Sequence, residues 1–126
     1  MPQISNNIII IITMADNIIG RNLRALRTAN HFTQEQVAEF LGISSSQYQF
    51  FESGQRTAKL SCLEKLCNLF GSELSMLYSE DEEIRRNMLV CAFRVDGLSS
   101  SDLEQVASFK EIVMNDLKLN CIVANE

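Results

Sequence analysis

What this chain has little of narrows its possible roles first. Of 126 residues only one is proline and five are glycine, so few breaks stand in the way of long helices. Tryptophan is absent, and His31 is the sole histidine. Cys62, Cys67, Cys91 and Cys121 form no CxxC pair and no Cys/His cluster. On a helix, Cys62 and Cys67 would stand about 140° apart, too far round to share a metal ion. All four have apolar neighbours and are expected to be core thiols, with no metal or cofactor implied. The longest apolar run, residues 88–93, is far shorter than the roughly 20 residues of a membrane span. No basic segment leads into a small-residue cleavage site, so the expected compartment is the cytoplasm, with no membrane partner. His31 sits in an expected turn without a neighbouring acid or cysteine, and no Gly-rich phosphate loop occurs. No catalytic constellation emerges, and no enzyme activity is expected.

What is present is an uneven charge. The net charge is −5, yet residues 16–79 balance Asp16, Glu35, Glu39, Glu52, Glu64 and Glu73 against Arg21, Arg24, Arg27, Arg56, Lys59 and Lys65. The whole deficit therefore lies in residues 80–126. The acidic half makes a poor nucleic-acid surface. The neutral half can approach DNA with modest non-specific attraction.

The periodicity predicts an all-α protein in three parts. Residues 1–15 read as an N-terminal extension: Asn and Ile dominate residues 1–13 without helical spacing, which fits either a disordered end or a strand pairing with another copy. Residues 16–79 read as five short helices. Asp16 is a candidate cap for the first, whose inner face is Ile19, Leu23 and Leu26, and Asn30-His31 stops it. Thr33 and Gln36 form a capping box for the second, with Val37, Ala38 and Leu41 inward and Gly42 at its end. Ser44 and Gln47 repeat that box for the third. Ser61 is expected to cap the fourth, with Leu63, Leu66, Leu69 and Phe70 inward and Gly71 at its end. Residues 73–78 make the fifth. Residues 80–126 read as a two-helix C-terminal dimerisation segment: one helix over about 82–94, a turn at Asp96-Gly97, and a last helix opened by a Ser101–Glu104 box. The apolar side of that last helix is wide, and Leu103, Val106, Phe109, Val113 and Leu117 are its expected contacts with a second copy.

Residues 32–56 carry most of the functional signal. Two short amphipathic helices joined at Leu41-Gly42-Ile43 have the layout of a helix-turn-helix. At about 100° per residue, Tyr48 and Phe51 point inward, while Ser46, Gln49, Phe50 and Ser53 cluster outward and Ser45 stands at the tip. Gln49 offers a donor and an acceptor together, which suits adenine; Phe50 suits a thymine methyl; the serines are small enough for close approach to a groove. The same residues also fit a plain solvated face, or a face that binds another protein. The competing function is thus a protein-interaction or antitoxin-like module without base-specific binding.

Residues 19–78 resemble the lambda-repressor-like, Xre-type helix-turn-helix family. The likeness is carried by LRALR at 23–27, FTQEQVAEFLGIS at 32–44, FESGQR at 51–56 and LEKLCNLFGSELSMLY at 63–78. It implies a five-helix lambda-repressor-like domain in a transcriptional regulator, a repressor above all, that binds double-stranded DNA as a homodimer on a palindrome. By position, Gln34 opens the buttress helix and would touch a phosphate. Ser44, Ser45, Ser46, Gln49 and Phe50 fall on base-reading positions, and Arg56 and Lys59 follow where phosphates pass. Arg27 and Glu52 match a structural ion pair. Phe50 and Gln55 depart from the basic residues common in relatives, which weakens the electrostatic part of binding. Residues 92–118 resemble the tail of Xre regulators partnered with IrrE-type zinc metallopeptidases, which implies a regulatory peptidase as a partner.

Overall fold

The structure is a computed structural model. It describes the backbone of residues 2–91 and 99–124, and the side chains of 16–87, 89, 99 and 101–115. The order is α1 (Pro2–Ala29), α2 (Gln34–Leu41), α3 (Ser45–Ser53), α4 (Leu60–Phe70), α5 (Leu74–Leu77), α6 (Glu82–Cys91) and α7 (Ser100–Ala124). The described part is all-α, as the spacing of apolar residues predicts. The expected turn at Asp96-Gly97, the last residues of the sixth helix, Leu117, Cys91 and Cys121 lie outside the described residues or side chains.

The first correction concerns α1. It runs 28 residues from Pro2, so residues 2–15 continue the helix instead of forming a loose end or a pairing strand. Proline is at home in the first turn of a helix, and no proline or glycine occurs again before Gly20. Isoleucine costs only a few tenths of a kcal/mol per helical residue, which one continuous helix absorbs. Asp16 is therefore interior to α1 and caps nothing; its carboxylate accepts from Thr57 Oγ1 at 2.7 Å. The helix stops where the sequence predicts. Asn30 Nδ2 donates to the Leu26 carbonyl at 2.9 Å, and His31 takes a positive φ of 61°, which ends the helical path.

The capping boxes predicted for α2 and α3 are present. Thr33 Oγ1 accepts from the Gln36 N–H at 3.1 Å, and Gln36 Oε1 accepts from the Thr33 N–H at 2.9 Å. Ser44 and Gln47 do the same at 3.2 and 3.1 Å. Gly42 closes α2 at φ 75°, a conformation glycine adopts without strain. At α4 the expected cap moves: Lys59 holds the N-cap position without a side-chain hydrogen bond, which leaves Ser61 inside the first turn. At α7 the predicted Ser101–Glu104 box gives way to a cap two residues earlier, in which Ser99 donates to Asp102. The Ser99 N–H and Oγ both donate to Asp102 Oδ2, at 3.2 and 3.0 Å, because an aspartate at the third helical position reaches back as a glutamate would.

Ile19, Leu23, Leu26, Val37, Ala38, Leu63, Leu66, Leu69 and Phe70 form the core as predicted, joined by Phe32, Phe40, Tyr48 and Leu77. Burying such side chains contributes about 1.5–3 kcal/mol each against solvent exposure. α1 and α3 approach closely at Gly20: a Cβ there would collide with the carbonyl oxygens of Phe51 and Glu52. Asn22 ties α5 to α1 through its Nδ2, which donates to the Leu77 and Ser79 carbonyls at 2.8 and 3.1 Å.

The second correction concerns α7. It packs on α4 and α2 of its own protomer. Leu103 and Ala107 are in the core, and Val106 is half-buried against it. Leu103 is fully buried and so is not a surface for a second copy. Lys110 is 1% exposed, and its Nζ donates to Asn30 Oδ1 at 2.6 Å. That bond links the last helix to the turn after α1. Phe109 and Ile112 remain outside, 63% and 67% exposed, and Val113 is half-buried.

Candidate nucleic-acid interface

Helix α3 is held on its inner side and open on its outer side. Tyr48 is fully buried and meets Phe51 edge to face, with ring centroids 6.4 Å apart. Ser45, Ser46, Gln49 and Ser53 are exposed. Ser44 is exposed as well, but its hydroxyl serves the capping box. The Ser53 hydroxyl returns to the Phe50 carbonyl at 3.2 Å. The strip offered outward is thus made of small or amide side chains on a rigid rod about 14 Å long, at 1.5 Å per residue.

An ionic cluster locks this rod. Arg27 Nε donates to Glu52 Oε2 at 2.7 Å and Arg27 Nη2 to Glu52 Oε1 at 3.2 Å. The two-pronged geometry fixes orientation as well as distance. The Arg27 Nη1 donates to the Phe32 carbonyl at 2.9 Å, and Gln34 Nε2 donates to Glu52 Oε1 at 3.2 Å. One carboxylate on α3 thereby gathers α1 and the start of α2. Burial works to lower the Arg27 pKa, but the hydrogen bond and charge of Glu52 outweigh it and hold the guanidinium above its usual value. Burial pushes the Tyr48 phenol well above its usual range, and the nearby Glu52 carboxylate adds to that. The predicted Arg27–Glu52 pair is present.

Phe50 differs from its expectation. It lies on the outer flank but is half-buried, because the Arg56 guanidinium sits over its ring, 5.4 Å from the centroid. Such a cation–π contact is worth roughly 0.5–1 kcal/mol at an exposed site. It gives the phenylalanine a local apolar partner and fixes Arg56 beside the strip. Lys59 is exposed at the entrance to α4. Gln34 opens α2 as predicted and is half-buried, with its amide turned partly to Glu52. The structure brings Gln34, Gln49 and Ser53 together with Arg24, Arg27 and Glu52 around one open cleft of about 360 Å³. Arg24 is the member that sequence reasoning left unassigned. Its signal was its position three residues before Arg27, one turn away on the same side of α1.

This arrangement defines a helix-turn-helix domain: a buttress helix, a capped turn and a second helix with an open outer strip. Residues 18–76 match the model of a helix-turn-helix domain family, in line with the Xre-type likeness of the motifs. Among curated proteins, the chain is 33% identical over 65 residues to the cryptic phage CTXphi transcriptional repressor RstR of Vibrio cholerae, covering 52% of this chain and 59% of that protein. It is also 33% identical over 60 residues to the SPbeta prophage-derived uncharacterized HTH-type transcriptional regulator YonR of Bacillus subtilis (strain 168), covering 48% of this chain and 56% of that protein. The chain thus spans somewhat over half the length of these relatives. No solved structure matches. The family match ends at residue 76, short of the tail at 92–118. Among the described residues, no helix is long and apolar enough to cross a membrane.

Proposed function

We propose that this protein is a sequence-specific DNA-binding transcriptional regulator, acting as a cytoplasmic repressor that binds a palindromic operator as a dimer. The observation that carries the reading is the contrast across α3: Tyr48 fully buried on one flank, and Ser45, Ser46, Gln49 and Ser53 exposed on the other. A major groove about 12 Å wide admits such a helix. In this reading Ser45, Ser46 and Gln49 meet base edges, while Gln34, Ser53, Arg56 and Lys59 position the protein on phosphates. The Arg27–Glu52 pair holds the strip at a fixed angle. Phe50 meets a thymine methyl by the edge that Arg56 leaves uncovered. The similarity to a phage repressor supports the direction of control.

A single recognition helix reads few base pairs, so two copies on half-sites about 34 Å apart supply the needed specificity. Their pairing face is the outer flank of α7, where Phe109 and Ile112 are exposed and Val113 is half-buried. Selection from a random duplex pool, repeated across salt concentrations, tests the proposal. Enrichment of a two-fold symmetric sequence is the expected result. Failure to enrich any sequence, with tight retention of a cellular protein instead, would refute it in favour of an interaction module.

A further inference from the structure

Arg24 lies on α1 one turn before Arg27, and its side chain is exposed. It shares a cleft with Gln34, Gln49 and Ser53, the side chains assigned above to DNA. The other charges lining that cleft cancel. Both Glu52 oxygens are occupied, Oε2 by Arg27 Nε and Oε1 by Arg27 Nη2 and Gln34 Nε2. Arg27 and Glu52 thus form a neutral pair. Among the described residues no carboxylate lies within ion-pair distance of Arg24. The cleft therefore carries one uncompensated positive charge, at its α1 edge, facing a wall of neutral hydrogen-bonding side chains.

We propose that Arg24 is a DNA-contact residue that grips a backbone phosphate at this cleft, so that the interface extends from α2 and α3 onto α1. The proposal rests on the operator-binding reading above. A phosphate is the ligand that fits, because α3 supplies the side chains that face the groove, and Arg24 comes from the helix behind it. Backbone oxygens flanking the groove are what such a position meets. A guanidinium takes a phosphate with two parallel hydrogen bonds. Gln34, with its amide partly engaged by Glu52, flanks the same phosphate run from the α2 side.

The test uses the full chain, the selected operator and a random duplex, with affinities measured across salt for wild type, Arg24→Gln and Arg24→Lys. Arg24→Gln is expected to weaken both duplexes by the same factor and to reduce the slope of log affinity against log salt by about 0.9, the value of one lost phosphate contact. Arg24→Lys is expected to restore the slope, and thermal unfolding of both variants should match wild type. Gln49→Ala, run alongside, should weaken the operator alone. An unchanged slope in Arg24→Gln would overturn the proposal, as would a loss confined to the operator, which would make Arg24 a base reader. Wild type that enriches no duplex at all would sink the parent reading and this one with it, an outcome separate from a silent Arg24→Gln.

Discussion

Helices α3 and α7 sit on the same core and turn opposite chemistries outward. The outer strip of α3 is polar and small, with Gln49 its largest exposed member. The outer flank of α7 is apolar at Phe109 and Ile112, with the exposed carboxylates Glu104 and Glu111 along one border. Their seats differ too. α3 is held by a backbone approach at Gly20 and the Arg27–Glu52 pair; α7 is held by Leu103, Ala107 and the ammonium–amide bond from Lys110 to Asn30. The lesson is a division of labour. Inner contacts decide how rigidly a helix is presented, and outer residues decide what it can meet. A small polar strip suits base edges, which carry hydrogen-bonding groups. An aromatic and aliphatic pair with an acidic border cannot face a polyanion and suits another protein.

The largest expected effect breaks the seat of α3. Glu52→Ala leaves Arg27 short of its partner, with the arginine side chain only 15% exposed. Removing one member of a buried pair costs about 3–5 kcal/mol; the residual exposure of Arg27 puts this case near the lower end. Urea unfolding should show the loss. A midpoint unchanged from wild type would mean that α3 is held by packing alone.

The seat of α7 answers to pH. Burial lowers the Lys110 pKa from 10.5 to about 8. Below about pH 8 the ammonium is charged in both folded and unfolded chains, and its burial costs stability in full. Between about 8 and 10.5 the unfolded chain binds the proton more strongly than the folded one, so stability rises with pH. The span corresponds to about 3 kcal/mol at 1.36 kcal/mol per unit. Tyr48 opposes this at the alkaline end, since its raised phenol pKa withdraws stability above pH 10. Comparison with Lys110→Met cancels the Tyr48 effect. The wild type should gain on the variant from pH 8 upward, and parallel stability curves for the two would contradict the burial of this charge.

How far the sequence disclosed these seats differs between them. The α3 seat was legible because its signals are local: two capping boxes, a glycine after each helix, and Tyr48 and Phe51 at helical spacing. The Arg27–Glu52 pair came from a family likeness, since nothing local links residues 25 positions apart. The Lys110–Asn30 bond was not legible. A lysine between Phe109 and Glu111 reads as a solvated charge, and the two residues are 80 positions apart. Leu103 was misplaced for the same reason: amphipathic spacing shows that one face of α7 is buried, but not whether its own core or a second copy buries it. Residues 2–15 were misread because β-branched side chains lower helix propensity only slightly, so an existing helix at 16–29 extends through them. Phe50 was placed on the correct flank, but its partner Arg56 follows the helix exit, where spacing rules no longer apply.

On the outer side of α3, Gln49→Ala should cost about 1–3 kcal/mol on a selected operator and leave random duplexes and unfolding untouched. Lys59→Gln should instead weaken every duplex alike and flatten the salt dependence by about one phosphate equivalent. Titrations of both variants against both duplexes separate reading from positioning. Equal losses on operator and random DNA for Gln49→Ala would remove it from the base-reading set.

The smallest expected effect on stability falls on the outer side of α7. Phe109 is 63% exposed within the protomer, so Phe109→Ser should change unfolding by no more than about 0.5 kcal/mol. A residue on the same helix makes the control: Leu103→Ala, six residues away and fully buried, should cost about 2–5 kcal/mol. If the flank pairs protomers, Phe109→Ser shifts sedimentation toward monomer and weakens the operator more than an isolated half-site, because only the palindrome needs both copies at once. Wild-type sedimentation and palindrome affinity in Phe109→Ser would place the pairing face elsewhere. The comparison between α3 and α7 would then keep its inner terms and lose its outer one.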